Sequence, residues 1–308
     1  MKSSRTPSFP EQAQPAFSGR TNMVGASSET WRPQLFAATT TPLSLFLARV
    51  RRFFDIQAGS AWRDLSAVLP SLQGTVLDVG CGAQPFRSMV SPQATYSGID
   101  TDAAKAHFGY EMPNTTYFSG DVWPVADASV NVVLCTETLE HVLETRRFLA
   151  EAARSLAPGG TLLLTVPFAA RWHFIPYDYW RFTPSSLNHL LTTSGFHEVR
   201  VYSRGNALTV ACYKVMTLIL LLLMPQNMSK VSGLLLQLAG TLFLPLFVSV
   251  AIVANLSLLG PGGDDCLGYT VFAVRAVQPV DANESMLSEP GQRSMERTGH
   301  DSKHDSCT

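Results

Sequence analysis

The sequence predicts an α/β fold: a doubly wound, seven-stranded, mostly parallel sheet with a hydrophobic helical hairpin inserted between the sixth and seventh strands. Three observations predict it. Short apolar runs alternate with helical stretches, as in sheets whose strands are joined by crossover helices. Several runs, such as Val130–Thr136, are apolar almost throughout, which suits a sheet covered on both faces. An acid and a glycine turn follow the first run, at the strand end where such sheets bind ligands.

The elements follow in order. Leu43–Phe54 and Ala61–Leu69 read as amphipathic helices, and Thr75–Val79 as a buried strand. Pro85–Val90 starts a short helix. Thr95–Asp100, Thr116–Gly120 and Val130–Thr136 are the next three strands. Leu143–Leu156 is a helix stopped by Pro158-Gly159-Gly160, and Thr161–Pro167 is the fifth strand. Pro184–Ser194 is a helix with proline in its first turn and Gly195 just past its end. His197–Tyr202 and Tyr269–Val277 complete the sheet. Residues 1–40 and 278–308 are rich in small and polar residues and predict a disordered arm and tail around a domain at 41–277.

Composition limits the function. Lys and Arg number 23 against 24 acids, with no basic stripe, so nucleic-acid binding has no electrostatic support. The five cysteines form no C-x-x-C pair and match no zinc spacing. They fit a reducing compartment.

The most specific stretch is VLDVGCGAQPF, Val76–Phe86. Asp78 ends a strand, and Gly80, Cys81 and Gly82 form a turn that lets a ligand approach the backbone. Asp100 closes the second strand in SGID, about twenty residues on, where a carboxylate meets ribose hydroxyls. Asp121 closes the third in SGDV. A dinucleotide-binding dehydrogenase competes for the glycines, but Pro85 stands where G-x-G-x-x-G needs its last glycine.

The run DVGCG, followed by GID, GDV and LAPGGTLLLTVPF, resembles class I S-adenosylmethionine-dependent methyltransferases over about residues 60–205 and 269–277. The resemblance implies the Rossmann-like methyltransferase fold and S-adenosylmethionine as cofactor. It implies that Gly80, Cys81 and Gly82 pack on the methionine part with Asp78 nearby. It further implies that Asp100 binds the ribose, that Asp121 and the Val122 backbone hold the adenine, and that Cys135–Thr136 line the other side. Many members carry a third glycine where this chain has Gln84.

The loop Phe168–Pro184 follows the fifth strand and is dense in aromatics. The acceptor should approach there. His173 and Asp178 are base candidates and Tyr177 a positioning group; the competing reading is a packed lid. Glu137, Glu140 and His141 in ETLEH fall at i, i+3 and i+4, on one helical face, a spacing that can chelate a divalent cation. That motif is similar to one linked to metal in ubiquinone-pathway and small-RNA 2′-O-methyltransferases. Acids favouring a helix N-terminus are the simpler account, and no metal ligand is assigned.

Residues 207–259 hold two apolar stretches, Ala207–Met224 and Gly233–Leu259, with a polar break at Pro225–Ser232. As helices they would run roughly 27 and 40 Å, against about 30 Å for a bilayer's hydrocarbon. Three readings stay open: two crossings, an interfacial or re-entrant hairpin, or a buried interface. Lys214 lies inside the first stretch and Pro245 breaks the second. Together these features point to a methyltransferase acting on an oxygen or nitrogen of a small or lipid-linked acceptor, at the cytoplasmic side of a membrane. The alternative is a catalytically inactive membrane-associated binding or scaffold protein that keeps the cofactor fold.

Overall fold

The structure is a computed structural model that describes residues 41–104, 111–225 and 229–277. The arm and tail expected at 1–40 and 278–308, and residues 226–228 of the polar break, lie outside these residues. The strands are β1 (Thr75–Val79), β2 (Thr95–Thr101), β3 (Thr115–Phe118), β4 (Val130–Thr136), β5 (Leu156–Pro167), β6 (Phe196–Arg204) and β7 (Gly268–Arg275). They form one sheet in the order β3-β2-β1-β4-β5-β7-β6. The pairs β1/β2, β1/β4, β2/β3 and β4/β5 are parallel, whereas β7 runs antiparallel to both β5 and β6. The carboxyl ends of β1 to β6 therefore share one edge, and β7 starts from that edge.

The helices are α1 (Pro42–Phe54), α2 (Ile56–Val68), α3 (Thr145–Ser155), α4 (Pro184–Thr193), α5 (Ala207–Leu223), α6 (Lys230–Leu242) and α7 (Leu244–Ser257). Neighbouring residues of a strand point to opposite faces, and the core divides accordingly. Leu77, Val133, Leu162 and Leu164 pack with Leu149 of α3 and Leu187 of α4. Val76, Val132, Leu134 and Leu163 pack with Leu65 of α2 and with Phe86. Both faces are covered, which is why the strands read as continuous apolar runs. Truncating Leu162, Leu163 or Leu164, each at most 1% exposed, to alanine costs about 2–5 kcal/mol.

Local chemistry fixes several ends. Thr183 caps α4 in a reciprocal pair with Ser186, and Pro184 sits at its first turn. The Pro158-Gly159-Gly160 segment does not separate helix from strand, as its turn chemistry suggests. It is an irregularity within β5, which already pairs at Leu156 opposite Val130 and resumes at Thr161 opposite Val132.

The inserted segment 207–259 comprises three helices rather than two. α6 and α7 meet at a 56° bend, with Pro245 in the first turn of α7. Among the described residues no single helix is long and apolar enough to cross a membrane. α5 and α7 pack together through Val210, Met216, Phe247, Ala251 and Ala254, and Ile56 joins them from α2. Phe54 of α1 stacks on Phe247 at 5.4 Å, and Asn255 donates to the Phe53 carbonyl. The insertion leaves from Arg204 and returns at Gly268, at the edge where the strands end.

Candidate active site

The turn after β1 is pinned to β2. The Gly80 and Cys81 amides both donate to the Ile99 carbonyl. Gly80 has φ +66°, and a Cβ there would come within 2.3 Å of Thr138 Cγ2, so glycine is required on both counts. The Gly82 amide donates to Asp100 Oδ2 at 3.0 Å, and the Thr101 amide to Asp100 Oδ1 at 2.8 Å. These bonds fix the carboxylate at the end of β2. Burial raises the Asp100 carboxyl, and the two amides pull it back.

Asp78 ends β1 and is 1% exposed. Tyr96 donates to its Oδ2 at 2.6 Å, while Oδ1 is buried with no hydrogen-bond partner among the described residues. Burial pushes this carboxyl up to about 7; the Tyr96 bond opposes the rise and Asp100 adds to it. A buried acceptor without a donor is costly. A cationic ligand group at Oδ1 supplies the donor and favours the ionised form. The orphaned oxygen, the glycine turn and the fixed Asp100 together fit an amino-acid–nucleoside ligand such as S-adenosylmethionine.

The Cys81 side chain is buried against Thr115, 3.5 Å away, so only its backbone borders the turn. Burial, then the nearby Asp78, pushes the thiol up to about 12. Asp121 lies three residues beyond the end of β3, exposed and paired with Arg147 at 2.9 Å, and Val122 is 72% exposed. They sit at the outer rim. Thr136, half-buried, ends β4 and accepts from Thr138 through its carbonyl. Gln84, where a glycine is common, keeps a left-handed backbone at φ +52°. Its buried amide donates to Thr115 Oγ1 and the Pro113 carbonyl and accepts from Arg87.

The loop after β5 is held against the turn after β4. The Tyr179 and Trp180 amides donate to the Glu140 carbonyl, and Trp180 Nε1 to the Val142 carbonyl. Asp178, its side chain fully buried, takes both Nη atoms of Arg181 at 2.6 and 2.7 Å. It also lies 3.0 Å from the backbone amide and from Nδ1 of His173. Burial raises this carboxyl, but Arg181 and His173 outweigh it and hold it well below the usual range. His173 Nδ1 also lies 2.9 Å from the Arg171 carbonyl. Tyr177 is 46% exposed at the rim.

The expected single face of Glu137, Glu140 and His141 does not form. Only Leu139–His141 make a 3-10 turn; Glu137 precedes it at φ +47° and takes Arg204 Nη2 at 2.7 Å. Instead, Glu140, His141 and His173 each offer a ligand atom, all within 4.8 Å of one another. Glu140 is fully buried, and among the described residues neither oxygen has a hydrogen-bond partner; His141 Nε2 lies 3.6 Å from Oε1. Burial and then Glu137 hold its carboxyl well above the usual range. Burial and then His173 lower His141, leaving a neutral imidazole whose Nδ1 is tied to the Tyr177 carbonyl at 2.9 Å. Such a set can hold a divalent cation.

Two residues escaped sequence reasoning. Tyr96 orients Asp78, and buried Arg204 holds Glu137. Tyr96 lies on the strand next to Asp78 but carries no motif. Arg204 ends β6 before Gly205, a cation in a strand otherwise facing solvent and core by turns.

A family model described as a methyltransferase domain matches residues 48–201, half of the chain. An uncharacterized methyltransferase of Mycobacteroides abscessus is 37% identical over 114 residues, 34% of this chain and 43% of that protein. A ubiquinone biosynthesis O-methyltransferase of Parvibaculum lavamentivorans is 29% identical over 154 residues, 45% and 57% of the two chains. A thiol S-methyltransferase of Homo sapiens is 28% identical over 165 residues, 47% and 66% of the two chains. The matches thus span 43–66% of these relatives' own lengths. A SAM-dependent methyltransferase structure from Archaeoglobus fulgidus is matched with TM-score 0.44 at 16% identity, over 76% of this chain and 100% of that one.

Proposed function

The chain belongs to the methyltransferase-domain family, and from that premise we propose that it moves a methyl group from S-adenosylmethionine to an oxygen or nitrogen of a small or lipid-linked acceptor at the cytoplasmic side of a membrane. The observation that carries the cofactor half is the orphaned Asp78 oxygen beside the Gly80–Gly82 turn and the fixed Asp100. The bound cofactor supplies an electrophilic methyl on a cationic sulfur.

The residues divide the work. Asp78 accepts from the cofactor's amino group and Asp100 from its ribose hydroxyls. Gly80, Cys81 and Gly82 contribute bare backbone. Thr136 borders the opposite side, and Asp121 and Val122 border the adenine from the rim. Transfer then needs an in-line acceptor and, for a hydroxyl, a proton acceptor. His173 suits that role. Its Nδ1 faces a carbonyl and a carboxylate and so carries hydrogen, which leaves Nε2 with the lone pair. Asp178 is an anchor rather than a base. Its oxygens are engaged, and its contact with Nδ1 orients the imidazole. Tyr177 stands where an acceptor would enter.

A second reading of the acceptor side is favoured by buried Glu140, whose oxygens have no hydrogen-bond partner among the described residues. A divalent cation on Glu140, His141 and His173 would acidify an acceptor hydroxyl directly, in place of a base. A chelator separates the two. Labelled methyl transfer into membrane extract that stops with EDTA and returns with Mn²⁺ supports the cation. Transfer that ignores EDTA and falls about 100-fold or more in His173→Asn supports the base. No transfer from the labelled cofactor into any extract would count against both and favour a binding protein.

The membrane half rests on surface chemistry. Leu234, Leu235, Leu238 and Leu242 of α6, and Leu246, Ile252, Val253 and Leu256 of α7, are 42–81% exposed. An aliphatic surface of this extent calls for a covering. The 56° bend and the short helices favour an interfacial or re-entrant seat over two straight crossings. Because the insertion leaves and returns at the strands' carboxyl edge, the membrane surface and the acceptor loop lie on the same side of the domain.

A further inference from the structure

The run Leu43–Phe54 reads as an amphipathic helix, and α1 is one, yet its apolar face points away from the core. Before the closing pair Phe53 and Phe54, its half-buried residues are Ser44, Ala48, Arg51 and Arg52. They fall at i, i+4, i+7 and i+8, on one face of a helix. Leu43, Phe46, Leu47 and Val50, at i, i+3, i+4 and i+7, form another face and are 38–67% exposed. No residue of α1 is buried. At 13 residues the helix is about 20 Å long, against roughly 30 Å of hydrocarbon in a bilayer. It is too short to cross a membrane and long enough to lie along one.

α1 carries three arginines and no acid. Arg51 faces Asp55, the acid that caps α2. Arg52 lies over the Trp62 ring at 4.3 Å and next to Arg49. Arg49 is exposed, and neither it nor Arg52 forms an ion pair among the described residues. The helix stands at the edge that carries the site. Gln57, at the start of α2, donates to the Leu267 carbonyl at 3.0 Å, and Arg204 Nη1 lies 3.5 Å from the Gln57 carbonyl. Phe53 and Phe54 pack on the cluster of α5 and α7, and α7 in turn exposes Leu246, Ile252, Val253 and Leu256. Protein fits the outward face of α1 poorly. Residues 1–40 hold four bases and two acids, which add positive charge to the arginines. Residues 278–308 hold six acids and three bases but no apolar run longer than Met286-Leu287. A second copy meeting this face with its own sets the same arginines against each other. An anionic leaflet answers both features, with acyl chains for the apolar face and negative headgroups for the cations beside it.

We propose that α1 is an interfacial helix. It lies along a negatively charged leaflet, with Leu43, Phe46, Leu47 and Val50 among the acyl chains and Arg49 at the headgroups. This gives the domain a membrane contact outside the insertion, at the same edge of the sheet. It deepens the membrane reading given above and rests on it.

The test is vesicle flotation of the full chain, comparing phosphatidylcholine with phosphatidylcholine containing phosphatidylglycerol. The wild-type protein should bind both and prefer the acidic vesicles. The Phe46→Ser/Leu47→Ser protein, with circular dichroism confirming its fold, should bind both at least about tenfold more weakly. Its melting temperature without vesicles should equal that of the wild type. Arg49→Gln should keep the binding to phosphatidylcholine and lose about fivefold of the preference. Flotation of the double variant equal to the wild type overturns the interfacial helix and leaves the membrane reading to α6 and α7. No flotation of the wild type with either vesicle overturns the membrane reading, and the role of α1 with it. A preference untouched in Arg49→Gln overturns the anionic surface. A double variant that melts several degrees lower without vesicles, or that turns a dimer into a monomer, shows that polypeptide covers this face and overturns the bilayer as its occupant.

Discussion

Asp78 makes the sharpest claim at the scale of single residues. Its carboxyl, lifted to about 7 by burial, must ionise to accept a hydrogen bond from an ammonium group. Without ligand the folded chain therefore holds this proton in the range where the unfolded chain has released it. Ionising Asp78 costs the empty protein stability as pH rises from about 4 to 7. Cofactor affinity runs the other way: it should rise about tenfold between pH 6 and 8, and the rise should vanish in Asp78→Asn. Thermal melts of the empty protein check the first sign, and isothermal titration with cofactor at three pH values checks the second. Asp178 behaves oppositely, being held low by Arg181 and His173. Asp178→Asn should lower kcat by about 10–100-fold, as losses of orienting partners do, while cofactor affinity stays unchanged. An equal fall in cofactor affinity would make Asp178 part of the cofactor site instead.

Elements were legible in the sequence where one physical signal dominated. The β4 run of apolar residues has the ends expected of it, Val130 and Thr136. The α4 ends were marked by Pro184 in its first turn and Gly195 after it, while the Thr183 cap shows only in the fold. Elements were misread where tertiary contact outweighed local preference. Proline and two glycines normally stop a strand, yet β5 runs through them because β4 pairs with both sides of the irregularity. Glu137 was placed on a helical face with Glu140, but buried Arg204, 67 residues away, holds it in a left-handed conformation. No local spacing encodes such a partner. In their place the fold brings His173 from the next loop. The apolar insertion was legible as helices, and Pro245 marked its break. Its packing was not: α7 buries Phe247, Ala251 and Ala254 against α5 and leaves Leu246, Ile252, Val253 and Leu256 outside. The exposed leucines of α6 give a test at this scale. Replacing Leu234 and Leu238 by serine should move the protein from the membrane pellet toward the supernatant without lowering its melting temperature, since neither residue is buried. An unchanged distribution would show that α6 does not meet the bilayer.

The whole molecule is arranged around one edge. Six strands end there, and the glycine turn, Asp78 and Asp100 occupy one part of it. The loop carrying His173 occupies the next, and the apolar helices spring from the last. The apolar insertion and the candidate acceptor loop thus share an edge of the sheet, and on the proposed membrane reading an acceptor in the bilayer needs no long reach. The arrangement depends on the ends of β1 and β2 accepting S-adenosylmethionine, which calorimetry with the full-length protein tests most directly. The account predicts one molecule bound per chain, weakened at least about tenfold by Asp100→Ala, which removes a charged hydrogen-bond acceptor. No heat of binding for the wild-type chain, or equal affinity in the variant, would contradict it.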